Sequence, residues 1–222
     1  MRGRGIDQPR RLQTPVRLAR AQATGIGITV IGDVPTGQAL LRSGAHVGDD
    51  IYVSGQLGDA RLALEAFRGQ MSLPEAVLNT CRMRMEQPTP RVALGLALRG
   101  VASAAADISD GLLGDLGHIL RQSAVGARLQ LPACEALLGC RAQVSLEAHW
   151  VRTAVLSGGD DYELVFTAPP AQRMAVAQAA QASQTPVYCI GQIEAEPGTR
   201  LLDAQGQLVD LSLASFDHFA GN

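Results

Sequence analysis

The spacing of apolar residues alternates along this chain between a pattern typical of strands and one typical of helices, and each change marks the boundary of a predicted element. Short runs rich in β-branched or small residues predict strands, whereas apolar residues three or four positions apart predict helices. The predicted strands are 25–34, 51–54, 104–108, 127–131, 162–167 and 187–193, followed by a hairpin of 200–203 and 207–210. The predicted helices are 57–68, 73–83, 91–99, 112–122, 132–138, 145–153 and 170–182.

Glycine, proline and short polar side chains mark the predicted helix ends. Gly69 ends the first helix, and Pro74 lies near the first turn of the second. Ser109 or Asp110 is predicted to cap helix 112–122, and Ser145 is predicted to cap helix 145–153. Strands that alternate with helices in this way predict an α+β domain of mixed α/β layers.

Three segments differ in composition. Residues 1–22 have no sustained apolar period and are predicted to be mobile; six of the 19 arginines lie here. The alternatives for this segment are an Arg-rich presequence and a nucleic-acid-binding arm, although it lacks the interleaved aromatic residues that such arms use. Residues 23–37 are predicted to be a strand and a linker, and residues 38–222 the main domain.

Charge and residue types exclude several classes of function. The net charge is −2, which gives the chain no general attraction to nucleic acid or to anionic membranes. All 19 basic residues are arginine, so a Walker A lysine and a Schiff-base lysine are both excluded. A phosphate would have to be held by arginine, backbone amides or a metal ion. The four cysteines are predicted to be buried free thiols, and a cytoplasmic location is expected.

The segment 106–111, Ala-Asp-Ile-Ser-Asp-Gly, lies where a predicted strand meets a helix. Asp107 and Asp110 are three positions apart, and Mg²⁺ typically binds one or two carboxylates together with phosphate oxygens and water. The amides at the start of the following helix could bind a phosphate. Helix capping by Ser109 or Asp110 is the alternative interpretation.

A second acidic segment, 157–163, reads Ser-Gly-Gly-Asp-Asp-Tyr-Glu and precedes a predicted strand. Neighbouring carboxylates repel one another unless a cation or a basic ligand compensates, although a solvated turn capped by Asp160 is an equally simple explanation. Arg42 could form a forked pair with a phosphate or be an ordinary surface arginine. Phe216 could stack on a cationic heterocycle or belong to a C-terminal segment that packs on the core.

Five segments in this order resemble the thiamine-monophosphate kinase family. They are Gly37–Ala45 with Val47–Asp49, Pro88–Arg91, Asp107–Leu112 with Asp115–Ile119, Leu156–Leu164 and Phe216–Phe219. The resemblance implies the C-terminal domain of the aminoimidazole-ribotide-synthetase-like (PurM-like) fold. It also implies phosphorylation of thiamine monophosphate to thiamine diphosphate by direct in-line transfer from ATP, with Mg²⁺ and without a protein nucleophile.

The resemblance assigns roles by position. Asp107 and Asp110 would bind magnesium, Ser109 and Arg42 would contact ATP, and Asp160 and Phe216 would contact the thiamine phosphate. The family also uses glutamate at the position of Asp160, so the aspartate is a small departure. These assignments imply two small-molecule partners, ATP and thiamine monophosphate, and neither nucleic acid nor membrane.

The N-terminal domain of that family has no counterpart in this sequence. We therefore expect little kinase activity from this chain alone. We also do not expect it to form the family's homodimer, since that domain supplies the dimer contacts. Two alternatives remain: a non-catalytic remnant that binds nucleotide or thiamine phosphate, and another ATP-dependent synthetase of the same fold.

Overall fold

The computed structural model describes residue 29 and residues 32–209. The chain divides into two units, Met1–Val34 and Pro35–Asn222. Residues 29 and 32–34, the described part of the first unit, form no helix or strand. Segment 1–22, most of the predicted strand 25–34, and Phe216 lie outside the described residues.

A six-stranded sheet forms the centre of the second unit. Its strands lie in the order β2-β4-β1-β5-β3-β6. Neighbouring strands are antiparallel except β3 and β6, which are parallel. The strands are β1 Asp50–Ser54, β2 Ala104–Ile108, β3 Gly126–Gln130, β4 Glu163–Ala168, β5 Val187–Glu194 and β6 Gly198–Leu202.

Helices cover both faces of the sheet. They are α1 Asp59–Phe67, α2 Glu75–Glu86, α3 Val92–Ala97, α4 Leu112–Ser123, α5 Leu131–Glu135, α6 Ala148–Ser157 and α7 Arg173–Ala182, with two short 3₁₀ turns at Gly139–Ala142 and Pro170–Gln172. Side chains of α1, α2, α4, α5 and α6 share one apolar cluster, and those of α3 and α7 belong to another. The predicted α+β fold with mixed layers is therefore confirmed.

The alternation of side chains along β1 separates the two clusters. Ile51 and Val53 are fully buried in the larger cluster, whereas Tyr52 between them belongs to the smaller one. Tyr52 stacks on Phe166 of β4, with ring centroids 5.2 Å apart. Since successive strand residues point to opposite faces, the central strand contributes to both cores.

One predicted cap is wrong. Ser145 does not cap a helix: residue 147 is still extended, and α6 begins only at Ala148 and continues to Ser157. The predicted C-terminal hairpin is present as far as the structure describes it: Leu202 and Leu208 form an antiparallel bridge, and the Asp203 and Val209 amides donate to the Gln207 and Leu201 carbonyls at 3.0 and 2.9 Å. Strand β6 also pairs with β3.

Candidate functional site

Two acidic loops meet at one end of the sheet. The first acid loop, residues 107–111, includes the end of β2, and the second acid loop, residues 157–162, leads into β4. Because β2 and β4 are antiparallel neighbours, Ile108 lies opposite Glu163, and the two loops lie side by side. The Asp160 amide donates to the Ser109 carbonyl at 2.9 Å, and the Tyr162 amide donates to the Ile108 carbonyl at 3.0 Å.

Glycines allow the two loops to approach this closely. A β-carbon at Gly159 would lie 2.4 Å from the Ser109 carbonyl oxygen, which no side chain can tolerate. Gly111 has a φ of 121°, and a β-carbon there would lie 2.9 Å from the Ser157 backbone. Both glycines are thus required where the backbones touch.

The first acid loop is held by Asp115 rather than by a capping side chain of its own. One carboxylate oxygen of Asp115 accepts the amides of Ser109, Asp110 and Gly111 at 2.9, 3.0 and 3.2 Å. The residue at the start of α4 is Gly111, which makes no side-chain cap, so the predicted caps Ser109 and Asp110 are wrong. Their side chains are therefore not used to cap this helix.

Burial is the main cause that raises the pKa of Asp115 above its usual value. The amide hydrogen bonds of Asp110 and Ser109 oppose this rise, and the charges of Asp110 and Asp107 add to it. The carboxylate of Asp115 therefore lies within the electrostatic field of both predicted metal ligands.

The two aspartates of the second acid loop have different environments. Asp160 is exposed, whereas Asp161 is only 4% exposed and accepts the Gly58 amide at 2.8 Å. Burial is the main cause that raises the pKa of Asp161 to about 8. Asp161 therefore ties the loop to the start of α1, and Asp160 remains exposed. Asp160 and Tyr162 have positive φ angles of 67° and 51°, an uncommon conformation for residues with side chains.

Two cavities open on either side of Tyr162. The first, of about 400 Å³, is lined by Ser109, Asp110, Gly159, Asp160 and Tyr162 and, from α1 and its C-cap, by Arg61, Leu64 and Arg68. The second, of about 490 Å³, is lined by Arg42, Arg91, Asp107 and Tyr162 and by an apolar wall of Leu40, Val92, Gly95, Ala105, Ala106 and Leu164. The structure thus brings together five of the six predicted site residues around one shared side chain, while Phe216 lies outside the described residues.

Negative charge is concentrated around Tyr162. Burial is the main cause that raises the pKa of the Tyr162 hydroxyl, and the carboxylates of Asp160, Asp110 and Asp107 all raise it further. Positive charge is also close, because the Arg42 guanidinium lies 3.8 Å from the Asp107 carboxylate, with both side chains about half exposed. An exposed pair at this distance is weak, so a phosphate could displace or bridge it.

The donor atoms fit a hard cation with an open coordination sphere. Asp107 and Asp110 are exposed carboxylates, of the kind that binds Mg²⁺. Within the described part of the chain, the one group of three potential metal ligands whose donor atoms all lie within 4.8 Å is Asp59, Cys81 and Cys140, which are buried elsewhere. The acid loops therefore do not form a closed metal cage, and remaining ligands would come from phosphate or water.

The cysteines are mostly as predicted. Cys81, Cys134 and Cys140 are buried free thiols, whereas Cys189 is exposed. For Cys189 the expectation of burial is wrong, because its side chain lies on an outward-facing position of β5.

A buried charge cluster supports the second cavity and was not predicted from the sequence. Glu163 is 1% exposed and accepts hydrogen bonds from Arg91 Nε at 2.6 Å, Arg84 Nη2 at 2.9 Å and Ser54 Oγ at 2.6 Å. These contacts fix Arg91 at the cavity wall. The only sequence signal was an acid at the first position of an otherwise apolar strand, next to the second acid loop.

This arrangement recurs in known proteins. Residues 46–204 match the family described as AIR synthase related protein, C-terminal domain. The thiamine-monophosphate kinase of Salmonella typhimurium LT2 is 39% identical over 193 residues, covering 85% of this chain and 58% of that protein. The enzyme of the same name from Escherichia coli K12 is 40% identical over 192 residues, with the same coverage. The chain thus spans a little over half the length of these relatives.

Solved structures agree with the sequence comparison. The thiamine-monophosphate kinase of Stenotrophomonas maltophilia K279a superposes with a TM-score of 0.70 at 41% identity, covering 79% of this chain and 56% of that one. The protein AaThiL, complexed with AMPPCP and TMP, gives a TM-score of 0.62 at 26% identity over 81% of this chain and 54% of that one. Escherichia coli HypE, at 19% identity and a TM-score of 0.60 over 85% of this chain and 57% of that one, shares the fold.

Among the described residues, no helix combines the length and the apolar character that a membrane span requires. The family match covers both acid loops, all six strands and the first cavity, but not Leu40 and Arg42 of the second cavity. The chain belongs to the AIR synthase related proteins, whose C-terminal domain it carries, and its curated homologues are thiamine-monophosphate kinases.

Proposed function

We propose that this chain is the ligand-binding C-terminal part of a thiamine-monophosphate kinase, which phosphorylates thiamine monophosphate to thiamine diphosphate with ATP. The observation that carries the proposal is the contact between the two acid loops, which gathers Asp107, Asp110 and Asp160 around two adjoining cavities. Kinase homologues at 39–40% identity and a structural neighbour that binds AMPPCP and TMP support it.

Each cavity suits one of the two ligands. The second cavity has an apolar wall, for a nucleoside base, beside the guanidinium groups of Arg42 and Arg91, which can pair with phosphates. The first cavity combines Asp160 with Tyr162, and these suit the positively charged thiazolium ring of thiamine. The phosphate ends of both ligands would then meet at the first acid loop, where Ser109 also lies.

The residues of the first acid loop would hold the metal. Asp107 belongs to the wall of the second cavity and Asp110 to that of the first, so these carboxylates are proposed to bind Mg²⁺ between the two ligands. The metal would supply neutralisation of the phosphate charges and alignment of the acceptor phosphate with the γ-phosphate. In-line transfer of this kind requires no protein nucleophile, which agrees with the lack of lysine in the sequence.

Calorimetric titration of the purified chain tests this proposal. Binding is the appropriate measurement because the chain spans only 58% of its relatives' length. We expect thiamine monophosphate to bind. We also expect the affinity for AMPPCP to be about tenfold or more higher in the presence of Mg²⁺ than in EDTA. Asp110→Asn should remove most of this dependence on Mg²⁺.

The control for this titration is Asp203→Asn, in an exposed turn after β6, which should leave the binding of both ligands unchanged. AMPPCP binding of equal strength in EDTA would contradict the metal assignment. Nucleotide binding without any thiamine monophosphate binding would instead favour another ATP-dependent synthetase of the same fold.

A further inference from the structure

The first cavity has a basic wall as well as an acidic one. Helix α1 contributes Arg61 and Leu64, its C-cap contributes Arg68, and the acid loops contribute Asp110 and Asp160. Neither arginine belongs to the residues that the sequence resemblance assigned. A cavity with walls of opposite charge suits a ligand that itself carries both charges.

Helix geometry and one buried acid fix the position of both arginines. Oε1 of Glu65 lies 2.8 Å from Arg61 Nε and 3.1 Å from Arg68 Nη1. The spacings of four and three residues place all three side chains on the same face of α1. One carboxylate shared by two guanidinium groups leaves this wall with a net charge of +1.

Arg68 has the exposure expected of a ligand-binding side chain. Its side chain is 49% exposed, whereas that of Arg61 is 19% exposed and that of Glu65 is 7% exposed. A guanidinium group presents five N–H donors, and the contact with Glu65 Oε1 is made by one nitrogen of Arg68. Glu65 therefore orients Arg68 without occupying all of its donors.

The second acid loop rests directly on this helix. A β-carbon at Gly158 would lie 2.8 Å from Cβ of Arg61, so the loop backbone packs against the base of that side chain. Asp161 of the same loop binds the Gly58 amide at the start of α1. These contacts join the second acid loop to α1, the two elements that carry Asp160 and Arg61 of the cavity.

We propose that Arg68, supported by Arg61 and Glu65, forms an anion subsite that binds the phosphate of thiamine monophosphate. This inference rests on the proposed function and names a residue that distinguishes the phosphate ester from free thiamine. The cationic ring of the ligand lies towards Asp160 and Tyr162, and its phosphate lies between Arg68 and the Mg²⁺ site proposed at Asp110, since both residues line this cavity. The nucleotide is not expected to use Arg68, because Arg42 and Arg91 line the other cavity.

Titrations with three ligands test the subsite, all in the presence of Mg²⁺. In Arg68→Gln, we expect the affinity for thiamine monophosphate to fall about tenfold or more, since a hydrogen-bonded charge is lost. The affinities for free thiamine and for AMPPCP should stay within about twofold of the wild-type values. Arg68→Lys should recover part of the affinity, because lysine restores the positive charge but not the paired N–H donors of the guanidinium group.

The matched control is Arg82→Gln. Arg82 is also about half exposed and also pairs with a glutamate on its own helix, Glu86 at 2.6 Å, but it does not line either cavity. This variant should bind all three ligands like the wild type. Unchanged affinity of Arg68→Gln for thiamine monophosphate, or an equal loss for free thiamine, would overturn the subsite while leaving the proposed function intact.

Failure of the proposed function gives a different pattern. If the wild type binds neither thiamine monophosphate nor AMPPCP, the proposed kinase function is wrong. Inorganic phosphate then serves as the probe for the subsite. Phosphate binding that weakens in Arg68→Gln but not in Arg82→Gln would support the anion subsite by itself. Phosphate binding that is absent or equal in both variants would overturn it.

Discussion

Replacement of Glu163 by alanine is expected to lower the free energy of unfolding by about 3–5 kcal/mol. The variant leaves Arg84 and Arg91, whose side chains are 25% and 14% exposed, without their shared carboxylate. It also removes the acceptor of the Ser54 hydroxyl. Breaking one side of a buried ion pair is costly because the remaining charges stay desolvated, and here two guanidinium groups lose their partner.

Urea denaturation followed by circular dichroism measures this change. Glu86→Ala is the matched control, since Glu86 forms an exposed pair with Arg82 one helical turn away, and it should cost about 0.5 kcal/mol or less. A loss in Glu163→Ala no greater than in Glu86→Ala would show that the buried cluster is not essential to the fold. Because Glu163 fixes Arg91, AMPPCP affinity should fall in the same variant.

Replacement of Asp115 by alanine is expected to destabilise the fold by about 2–4 kcal/mol. Three amides of the first acid loop lose their acceptor together. Removal of the buried carboxylate also relieves its desolvation, which limits the loss. Since Asp115 positions Asp110 without lining either cavity, Mg²⁺-dependent AMPPCP affinity should fall about tenfold or more, as it would for a misplaced ligand.

Asp203→Ala is a close control for Asp115→Ala. Asp203 likewise accepts two backbone amides, those of Gln205 and Gln207 at 2.9 and 2.8 Å, but in an exposed turn. Its replacement should cost about 1 kcal/mol and leave ligand binding intact. Asp115→Asn, which keeps an acceptor oxygen, should retain more nucleotide affinity than Asp115→Ala. Full Mg²⁺-dependent binding by folded Asp115→Ala would exclude the positioning role.

Local patterns were sufficient to predict most of the elements and the chemically important loops. Strand β2 has the predicted bounds 104–108, and α4 begins at the predicted residue 112. The small residues of β2, the amphipathic period of α4 and the glycine between them are all local signals. The same signals located the acids of both loops, because each loop interrupts a regular apolar pattern.

The contact between the loops could not be predicted from local patterns. It depends on the pairing of β2 with β4, strands that are far apart in the sequence, and apolar periodicity does not specify strand partners. The different environments of the Asp160 and Asp161 side chains follow from the same strand pairing. The Asp160 carboxylate lines a cavity, whereas the Asp161 carboxylate is buried against the start of α1. The sequence alone does not distinguish these two neighbouring residues.

The role of Asp115 was missed for a related reason. Ser109 and Asp110 precede the helix, where capping residues are expected, but their backbone amides are satisfied by a carboxylate from within the first turn. An acid in the first helical turn is itself a recognisable signal. The sequence does not indicate Arg68, because it lies at the end of α1 and only the tertiary fold places it in the same cavity as Asp160.

A single metal-bridged phosphate site between the two acid loops can be detected directly by amide NMR. The chain is titrated with Mn²⁺ in the presence of AMPPCP, because Mn²⁺ replaces Mg²⁺ at carboxylate sites and broadens nearby signals. We expect the amides of Asp110 and Asp160 to broaden together at low Mn²⁺, before that of the exposed turn at Asp203. Broadening of one loop without the other, or of Asp203 first, would show that the two loops do not share a metal site.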